Sequence, residues 1–264
     1  MRAEVSVLMT VYNAENFLEK SISSIINQTF KNWELIIVDD YSNDRSLKII
    51  KKFKKKNIKT FKLNKKLGRT KSLNYGLNKC SGKYVAILDA DDFSKKNRLE
   101  KQYNFLKKNN DCGLVATWYR LIFLNQKFSL SKKFFLKNEI VRKYLFINPI
   151  AHSSIMFLKS LAVKLGKYPN QLKYAQDWGL ILKFMKHSKV KVLNEFLVNI
   201  TIVKGSMTFN NKYKEVILKD YKKNLSYILN NFDINLIERL IIYYFYLKNK
   251  VKLIILKILK IKFT

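Results

Sequence analysis

The sequence predicts an α/β fold: a mostly parallel sheet with helices on both faces, followed by a basic helical C-terminal extension. Strand-like and helix-like segments alternate from residue 5 to residue 90, an order typical of a parallel sheet. The chain has 264 residues, 48% of them hydrophobic, which is enough to bury a sizeable core. From about Lys212 onward the composition turns helical and basic, so we predict one region over 1–210 and a second over 211–264.

Each element of the first region follows from its own pattern. The run VSVLMTV predicts the first strand, and the helix after it has Leu18, Ile22 and Ile25 at helical spacing. The next segments are predicted in turn as strand, helix, strand, helix and strand: WELIIVDD, DRSLKIIKKFKK, IKTFKL, RTKSLNYGLNKC and KYVAILDA. We expect these strands to be parallel because a helix separates each one from the next.

The pattern continues beyond residue 98. A helix near 98–108 precedes CGLVATWYRLIF, which is a predicted strand. NPIAHSSIMFL and VKVLNEFLVNITIV predict two further strands, with a helix over QDWGLILKFMKHS between them. The sequence has no linker rich in Gly, Ser or Pro, so the boundary near residue 210 rests on composition alone.

The net charge limits the classes of partner. The chain carries 52 Lys and Arg against 19 Asp and Glu, a formal charge of +33, which favours contact with nucleic acid, an anionic membrane face or phosphorylated substrates. Surface solubility alone is the competing interpretation. A nucleic-acid-binding protein is one alternative, although no known nucleic-acid motif is present. Cys80 and Cys112 form neither a disulfide framework nor a zinc spacing, which indicates a reducing compartment.

The end of the chain predicts a basic amphipathic helix. Its apolar stripe is Val251, Ile254, Ile255, Ile258 and Leu259, with lysines at 250, 252, 257 and 260 off that stripe. Such a helix lies in a membrane interface, or it packs on the core or on a second subunit; both alternatives stay open. No stretch reaches the roughly 20 apolar residues of a membrane span. We therefore expect a cytoplasmic protein in peripheral contact with the anionic inner face of the cell membrane.

Acidic and hydroxyl side chains follow three of the predicted strands. They are Thr10 with Tyr12, Asp39 with Asp40, and Asp89 with Asp91. Ligands bind beyond the carboxyl ends of parallel strands, so these side chains should converge. Closely spaced carboxylates require a compensating cation, and Mg²⁺ or Mn²⁺ bridges carboxylates to phosphates. The D-x-D at 89–91 therefore predicts a metal and diphosphate site, with a solvated acidic loop as the alternative.

The surrounding segments resemble the family-2 glycosyltransferases, which are inverting nucleotide-sugar enzymes with the GT-A fold. The resemblance runs in the family's order from Val5 to Thr208 through VSVLMTVYNAEN, GRTKSLNYGL, GKYVAILDADD, NPIAHSSIMF and YAQDWGLILKF. It implies transfer of a sugar from a UDP-sugar donor to a saccharide or lipid-linked acceptor in cell-surface polysaccharide or lipopolysaccharide biosynthesis. A catalytically silent nucleotide-binding relative and a nucleotidyltransferase are the alternatives within this fold.

The resemblance implies roles for individual residues on the donor side. Thr10 and Tyr12 would lie against the nucleotide, and Asp40 would hydrogen-bond a uracil-type base edge. Lys71 would lie near the diphosphate. Asp89 would contact the ribose or order the metal's water shell, and Asp91 would be the direct ligand of Mg²⁺ or Mn²⁺. Asp39 and Asp92 rank lower, and turn formation or helix capping is the ordinary role for Asp39.

On the acceptor side, the resemblance implies that Asp177 is the catalytic base. The family places this base in an E-D-[YW] segment that opens a helix, and here the segment is Gln176-Asp177-Trp178, so its first acid is replaced. His152 would line the acceptor site, with a purely structural role as the alternative. Lys204 and Ser206, in a segment with Gly205 and Thr208, would belong to a lid over the diphosphate.

Overall fold

The computed structural model describes residues 3–123, 131–134, 145–146, 148–202 and 211–261. The strands are β1 (Val5–Val11), β2 (Trp33–Asp39), β3 (Ile58–Lys62), β4 (Tyr84–Ile87), β5 (Phe93–Ser94), β6 (Cys112–Phe123), β7 (Ser131–Phe134), β8 (Met156–Leu158) and β9 (Lys189–Ile202). The helices are α1 (Leu18–Ile26), α2 (Ser46–Lys52), α3 (Arg69–Lys79), α4 (Arg98–Lys108), α5 (Lys159–Lys164), α6 (Gln176–His187), α7 (Asn211–Asn231) and α8 (Leu236–Ile261). These bounds lie close to those predicted for the first four strands and for α3, α4 and α6.

The strands form one sheet in the order β3-β2-β1-β4-β8-β6-β9-β5, with β7 beside β6. The first four strands pair in parallel, as predicted. Beyond β4 the sheet is mixed, because β8 is antiparallel to β4 and β6 whereas β6 and β9 are parallel. The carboxyl ends of β1, β2 and β4 therefore lie at one edge of the parallel part, where parallel sheets bind ligands.

Apolar side chains cover both faces of the sheet. Leu8 of β1 packs on one face with Leu73 of α3, while its neighbour Val7 packs on the other face with Ile22 of α1. All four side chains are fully buried, and complete burial of one such side chain contributes about 1.5–3 kcal/mol. A Cβ on Gly76 would lie 2.3 Å from a methyl group of Leu8, so the glycine allows α3 to pack closely on β1.

The sequence analysis predicted that NPIAHSSIMFL is one strand, and this prediction is wrong. Residues His152–Ser154 form a 3-10 helix, and only Met156–Leu158 pair in the sheet. Ser154 accounts for the turn, because its backbone N–H and its hydroxyl both donate to the carbonyl of Ala151. His152 therefore lies in a turn at the end of the sheet, beside the loop that follows β4.

Helices α7 and α8 pack on α6 through a third apolar cluster. It contains Trp178 and Leu182 of α6, Ile228 of α7 and Ile242 of α8, all at most 1% exposed. The division of the chain near residue 210 stays a prediction. Among the residues that the structure describes, no helix combines the length and apolar character needed to cross a bilayer.

Candidate functional site

Arg69 connects the loop after β4 to the 3-10 helix. Its Nη2 donates to Oδ2 of Asp89 at 2.5 Å and lies 3.2 Å from Nδ1 of His152. Burial opposes the charge on both partners, yet the Arg69 guanidinium and the neighbouring His152 ring hold the pKa of Asp89 well below its usual range. Asp89 is therefore a fixed negative charge rather than a proton donor or acceptor.

The charges of the site residues meet at Arg69. Burial acts to lower the pKa of this guanidinium, but the negative charges of Asp89, Asp91 and Asp177 raise it above its ordinary value. These carboxylates come from the loop after β4 and from the first turn of α6. These three carboxylates thus lie around a cation that the sequence analysis did not name.

His152 is held on both sides of its ring. Its Nε2 lies 2.8 Å from the hydroxyl of Tyr168, and its Nδ1 lies 3.6 Å from Oδ1 of Asp89. Both rings are buried. Burial raises the pKa of the Tyr168 hydroxyl well above its ordinary value, and the charges of Asp177 and Asp89 act in the same direction. His152 therefore lies within the group of side chains around Asp89 and Arg69. Its predicted contact with an acceptor stays a prediction.

Asp177 lies in the first turn of α6 and accepts a hydrogen bond from Nδ2 of Asn148 at 3.1 Å. Burial raises the pKa of Asp177, while His152 and Arg69 act in the opposite direction. A carboxylate with a raised pKa takes up a proton more readily than an exposed aspartate does, which suits a general base.

Gln176 is buried beside Asp177 and reaches the same arginine. With its amide oxygen turned towards Arg69, it accepts from Nε at 3.0 Å, and its amide nitrogen donates to the carbonyl of Lys173 at 3.2 Å. A neutral amide satisfies Nε without adding a further negative charge. The replacement of the family's usual acid at this position therefore leaves Arg69 paired with Asp89.

Asp91 and Asp92 have different environments. Asp92 is 3% exposed and accepts from the Ser153 hydroxyl at 2.5 Å and from the backbone N–H of Thr201 at 2.9 Å. It ties the loop to the 3-10 helix and to β9. Asp91 is partly exposed, and burial together with the charge of Asp89 raises its pKa to about 6. The site therefore favours the approach of a cation to Asp91, not to Asp92.

The carboxylates of Asp89 and Asp91 fit a divalent ion that also binds substrate phosphates. Within the described residues, no group of three or more His, Cys, Asp and Glu side chains is placed to hold a metal ion by itself. Mg²⁺ and Mn²⁺ characteristically use one or two carboxylates and complete their coordination with water and phosphate oxygens. The donor set therefore suits a metal that arrives with a diphosphate.

The predicted nucleotide end lies at the carboxyl ends of β1 and β2. Tyr12 is 45% exposed, and Nζ of Lys66 lies 3.5 Å from its ring centroid. Asp40 is buried, and its two oxygens accept from the backbone N–H groups of Leu67 and Gly68 at 2.7 and 2.9 Å. Asp40 thus holds the turn before α3, and each of its oxygens keeps a lone pair for a base edge.

The remaining predicted residues have less defined contacts. Thr10 is partly exposed near the end of β1, and Lys71 is exposed in the first turn of α3, two residues after Arg69. Asp39 accepts from the backbone N–H of Ser42 at 3.2 Å, which is the turn role expected of it. Lys204 and Ser206 lie outside the described residues.

Asp220 of α7 shapes the loop that leads into α6. Its Oδ2 accepts from the backbone N–H groups of Lys173, Tyr174 and Ala175 at 2.7, 2.7 and 3.3 Å. Asn224, one turn further along α7, donates to the carbonyl of Ala175 at 3.1 Å. The sequence analysis missed Asp220, as it missed Arg69. The contact of Asp220 with the loop joins segments about 45 residues apart, so no local pattern indicates it.

Replacement of Asp220 by alanine should lower the free energy of unfolding by about 1–3 kcal/mol, because it leaves three backbone N–H groups, that of Ala175 buried, without this acceptor. Urea denaturation measures the loss. The control is Asp111→Ala, which removes an exposed ion pair with Lys189 and should change the value by no more than about 1 kcal/mol. Equal losses in the two variants would show that Asp220 does not organise the loop.

Comparison with known proteins yields one family and several similar chains. The family model described as Glycosyl transferase family 2 matches residues 6–164. An uncharacterised glycosyltransferase of Methanocaldococcus jannaschii is 34% identical over 240 residues, which cover 86% of this chain and 82% of that protein. The Escherichia coli protein WfgD, named as a UDP-Glc:alpha-D-GlcNAc-diphosphoundecaprenol beta-1,3-glucosyltransferase, is 30% identical over 86% of this chain and 91% of its own. Staphylococcus aureus TarS 1–349 in complex with UDP-GlcNAc has a TM-score of 0.71 at 20% identity, over 93% of this chain and 72% of that one.

Proposed function

The chain belongs to glycosyl transferase family 2, and we propose that it transfers a sugar from a UDP-sugar to a hydroxyl group of a saccharide or lipid-linked acceptor, with inversion at the anomeric carbon. The reaction would serve the biosynthesis of a cell-surface polysaccharide or lipopolysaccharide. The chain has the GT-A fold that the sequence resemblance implied, and the similarity to TarS supports this. The proposal concerns the donor, the stereochemistry and the acceptor, which the family alone leaves open.

The observation that carries the proposal is the meeting of two kinds of carboxylate at one arginine. Asp89 and Asp91, in the loop after β4, suit a cation and a diphosphate, whereas Asp177, on α6, suits proton transfer. All three are close enough to affect the pKa of Arg69. A sugar transferase needs both functions around one anomeric carbon.

Asp177 would act as the general base. As the acceptor oxygen forms its bond to the anomeric carbon, the hydroxyl proton passes to the carboxylate of Asp177. The bond between the anomeric carbon and the diphosphate oxygen breaks, and the nucleoside diphosphate leaves with the electron pair. Attack from the side opposite the leaving group inverts the carbon in one displacement.

Asn148 and Arg69 would keep Asp177 ready for this step. The amide of Asn148 orients the carboxylate through one oxygen, which leaves the second oxygen for the acceptor proton. Arg69 offsets part of the negative charge of the three carboxylates, so that a donor carrying its own negative charge can approach. A divalent ion bound by Asp91, with its water shell ordered by Asp89, would stabilise the negative charge of the departing diphosphate.

The nucleotide would lie between Tyr12 and Asp40. Tyr12 presents an exposed ring for a base, and Asp40 presents carboxylate oxygens to a ring N–H. UDP is the nucleotide named for both WfgD and TarS, which supports a UDP-sugar here. Lys66, against the ring of Tyr12, adds a positive charge at this end of the site.

A lipid-linked acceptor is supported by the name of WfgD, whose acceptor is a sugar on diphosphoundecaprenol. The mouth of the site beside Asp177 and His152 would receive the acceptor sugar. An acceptor anchored in a bilayer places the reaction beside a membrane surface, at the inner face of the cell membrane. Lys204 and Ser206 keep their predicted place in a lid over the diphosphate.

A donor-hydrolysis screen with Mg²⁺ or Mn²⁺ tests the proposal. We expect metal-dependent release of UDP from one UDP-sugar by the native protein and a loss of about 100-fold or more in Asp91→Asn, because the direct ligand of the metal is gone. The control Asp233→Asn changes an exposed carboxylate in the turn between α7 and α8 and should keep the native rate.

The metal assignment has a second readout that needs no turnover. Mn²⁺ added with UDP should raise the melting temperature of the native protein, since a ligand that binds only the folded state stabilises it. Asp91→Asn should show no such rise. Metal-dependent hydrolysis that persists in this variant would contradict the assignment of Asp91.

A further inference from the structure

Helix α8 exposes an apolar face. Among its described side chains, eight large hydrophobic residues are at least 36% exposed, and Leu236, Ile237 and Leu240 reach 74%, 69% and 61%. Elsewhere in the described part of the chain, large hydrophobic residues exposed to this extent are scattered singly, at Tyr12, Tyr41 and Val163. Single exposed hydrophobic residues need no explanation, but a contiguous face marks an interaction surface.

The exposed residues form a stripe along the helix. Leu236, Leu240, Tyr243, Leu247 and Val251 follow one another at intervals of three or four residues, which places them on one side of an α-helix. The sequence continues these intervals with Ile254 and Ile258. At about 1.5 Å per residue, this stripe is long enough to lie along a surface for several turns.

The opposite side of α8 is already occupied. Ile242 is 1% exposed and packs in the third apolar cluster with Leu225 and Ile228 of α7. The helix is therefore anchored to the protein through one face, while the stripe faces outwards. Because the stripe forms no part of the core, folding alone does not account for its apolar character.

The charge beside the stripe indicates what covers it. Arg239 and Lys248 are exposed and adjoin Leu240 and Leu247 in the sequence. The helix carries six Lys and Arg and one acid, and that acid, Glu238, is buried and bonded to the backbone of Asn235 at the helix start. A second copy of this +33 chain would bring like charges together, whereas an anionic lipid surface offers charges of opposite sign.

We propose that the exposed face of α8 docks on an anionic lipid surface. The apolar stripe would enter the boundary between headgroups and acyl chains, and Arg239 and Lys248 would lie against lipid phosphates. Tyr243 and Tyr244 would sit at the headgroup level, where aromatic side chains with a polar tip are favoured. This surface goes beyond the proposed transfer reaction, since it concerns where the protein acts and not what it transfers.

Vesicle flotation with the full-length chain tests the docking. We expect the native protein to float with vesicles of phosphatidylglycerol and phosphatidylcholine, and to bind pure phosphatidylcholine far more weakly. The variant Leu240→Glu/Leu247→Glu should lose at least about tenfold in binding to the anionic vesicles. Both residues face solvent, so its melting temperature should stay close to the native value. The control is Val163→Glu, at an exposed apolar position on α5, and it should bind like the native protein.

Three results would overturn the proposal. One is native-like flotation of the double variant, and another is equal binding of the native protein to neutral and anionic vesicles. The third is a native dimer that the double variant dissociates, with no vesicle binding, which would make a second copy the occupant. Donor hydrolysis by the double variant should match that of the native protein, so a failure of docking is distinguishable from a failure of the proposed reaction.

Discussion

Asp177→Asn should lower kcat for sugar transfer by about 10²–10⁴-fold, the range that a positioned general base contributes. Asparagine keeps the size of the side chain and the oxygen that accepts from Asn148, but it cannot take the acceptor proton. The Kd for the donor nucleotide should change little, since the role proposed for Asp177 is on the acceptor side of the anomeric carbon. Steady-state kinetics with calorimetric titration of UDP separates the two effects.

Stability supplies the control for this variant. The folded pKa of Asp177 is raised by burial, so the ionised carboxylate destabilises the fold as pH rises from its ordinary pKa through the folded value. At neutral pH, Asp177→Asn removes that charge and should raise the melting temperature. A variant that is both less active and less stable would indicate a structural role. A variant with native kcat would contradict the assignment of Asp177 as the base.

The same shift predicts the pH dependence of the native enzyme. A base must be ionised to accept a proton, so kcat/KM should fall on the acid side as Asp177 becomes protonated. Because burial raises its pKa above the ordinary value of 3.8, this acid limb should lie at higher pH than for an exposed aspartate. A pH profile of kcat/KM measures its position.

Arg69→Met should lower the free energy of unfolding by about 3–5 kcal/mol, because it leaves Asp89 as a buried charge without its partner. The side chains of Arg69 and Asp89 are only 25% and 18% exposed, so solvent screens the pair weakly. Urea denaturation at pH 7 measures the loss. The matched control is Lys101→Met, which breaks an ion pair with Glu195 that is about twice as exposed and should lose no more than about 1 kcal/mol.

A double-mutant cycle separates the ion pair from the packing of Arg69. In Arg69→Met/Asp89→Asn the buried charge is gone, so the double variant should be more stable than Arg69→Met alone. An interaction energy of about 1–3 kcal/mol between the two positions is expected for groups in direct contact. Strictly additive losses would mean that Arg69 stabilises the fold through other contacts.

The parts of the fold that could be predicted are those with local patterns. Strands β1, β2 and β4 are largely apolar runs, helices separate the first four strands, and their parallel pairing follows from that order. The turn at His152–Ser154 could not be predicted in this way. Besides the local bonds of Ser154 to Ala151, it is held by a bond from Ser153 to Asp92, 61 residues away, and the apolar run IMFL beside it favours a strand. Likewise β5 has two residues, too few for any periodicity.

The candidate site likewise contains residues that a local pattern predicts and residues that depend on distant contacts. The clustering of acids at strand ends predicts where Asp89 and Asp91 lie, and the family resemblance selects Asp177. Arg69 is invisible in the pattern because its partners are 20 and 83 residues away, and the sequence contains many other basic residues. The one available signal was its position directly after Gly68, a glycine with positive φ that opens α3. In the structure Arg69 contacts Asp89, whereas Lys71 is exposed.

The contact between Asp220 and the loop before α6 has a consequence for engineering. The family match ends at residue 164, yet Asp177 and the residue that organises its loop both lie beyond it. A chimaera that exchanged only α7 and α8 for those of a relative would pair a foreign helix with the native 173–175 loop. Swaps that aim to change acceptor choice should therefore move 173–187 together with both C-terminal helices as a single cassette.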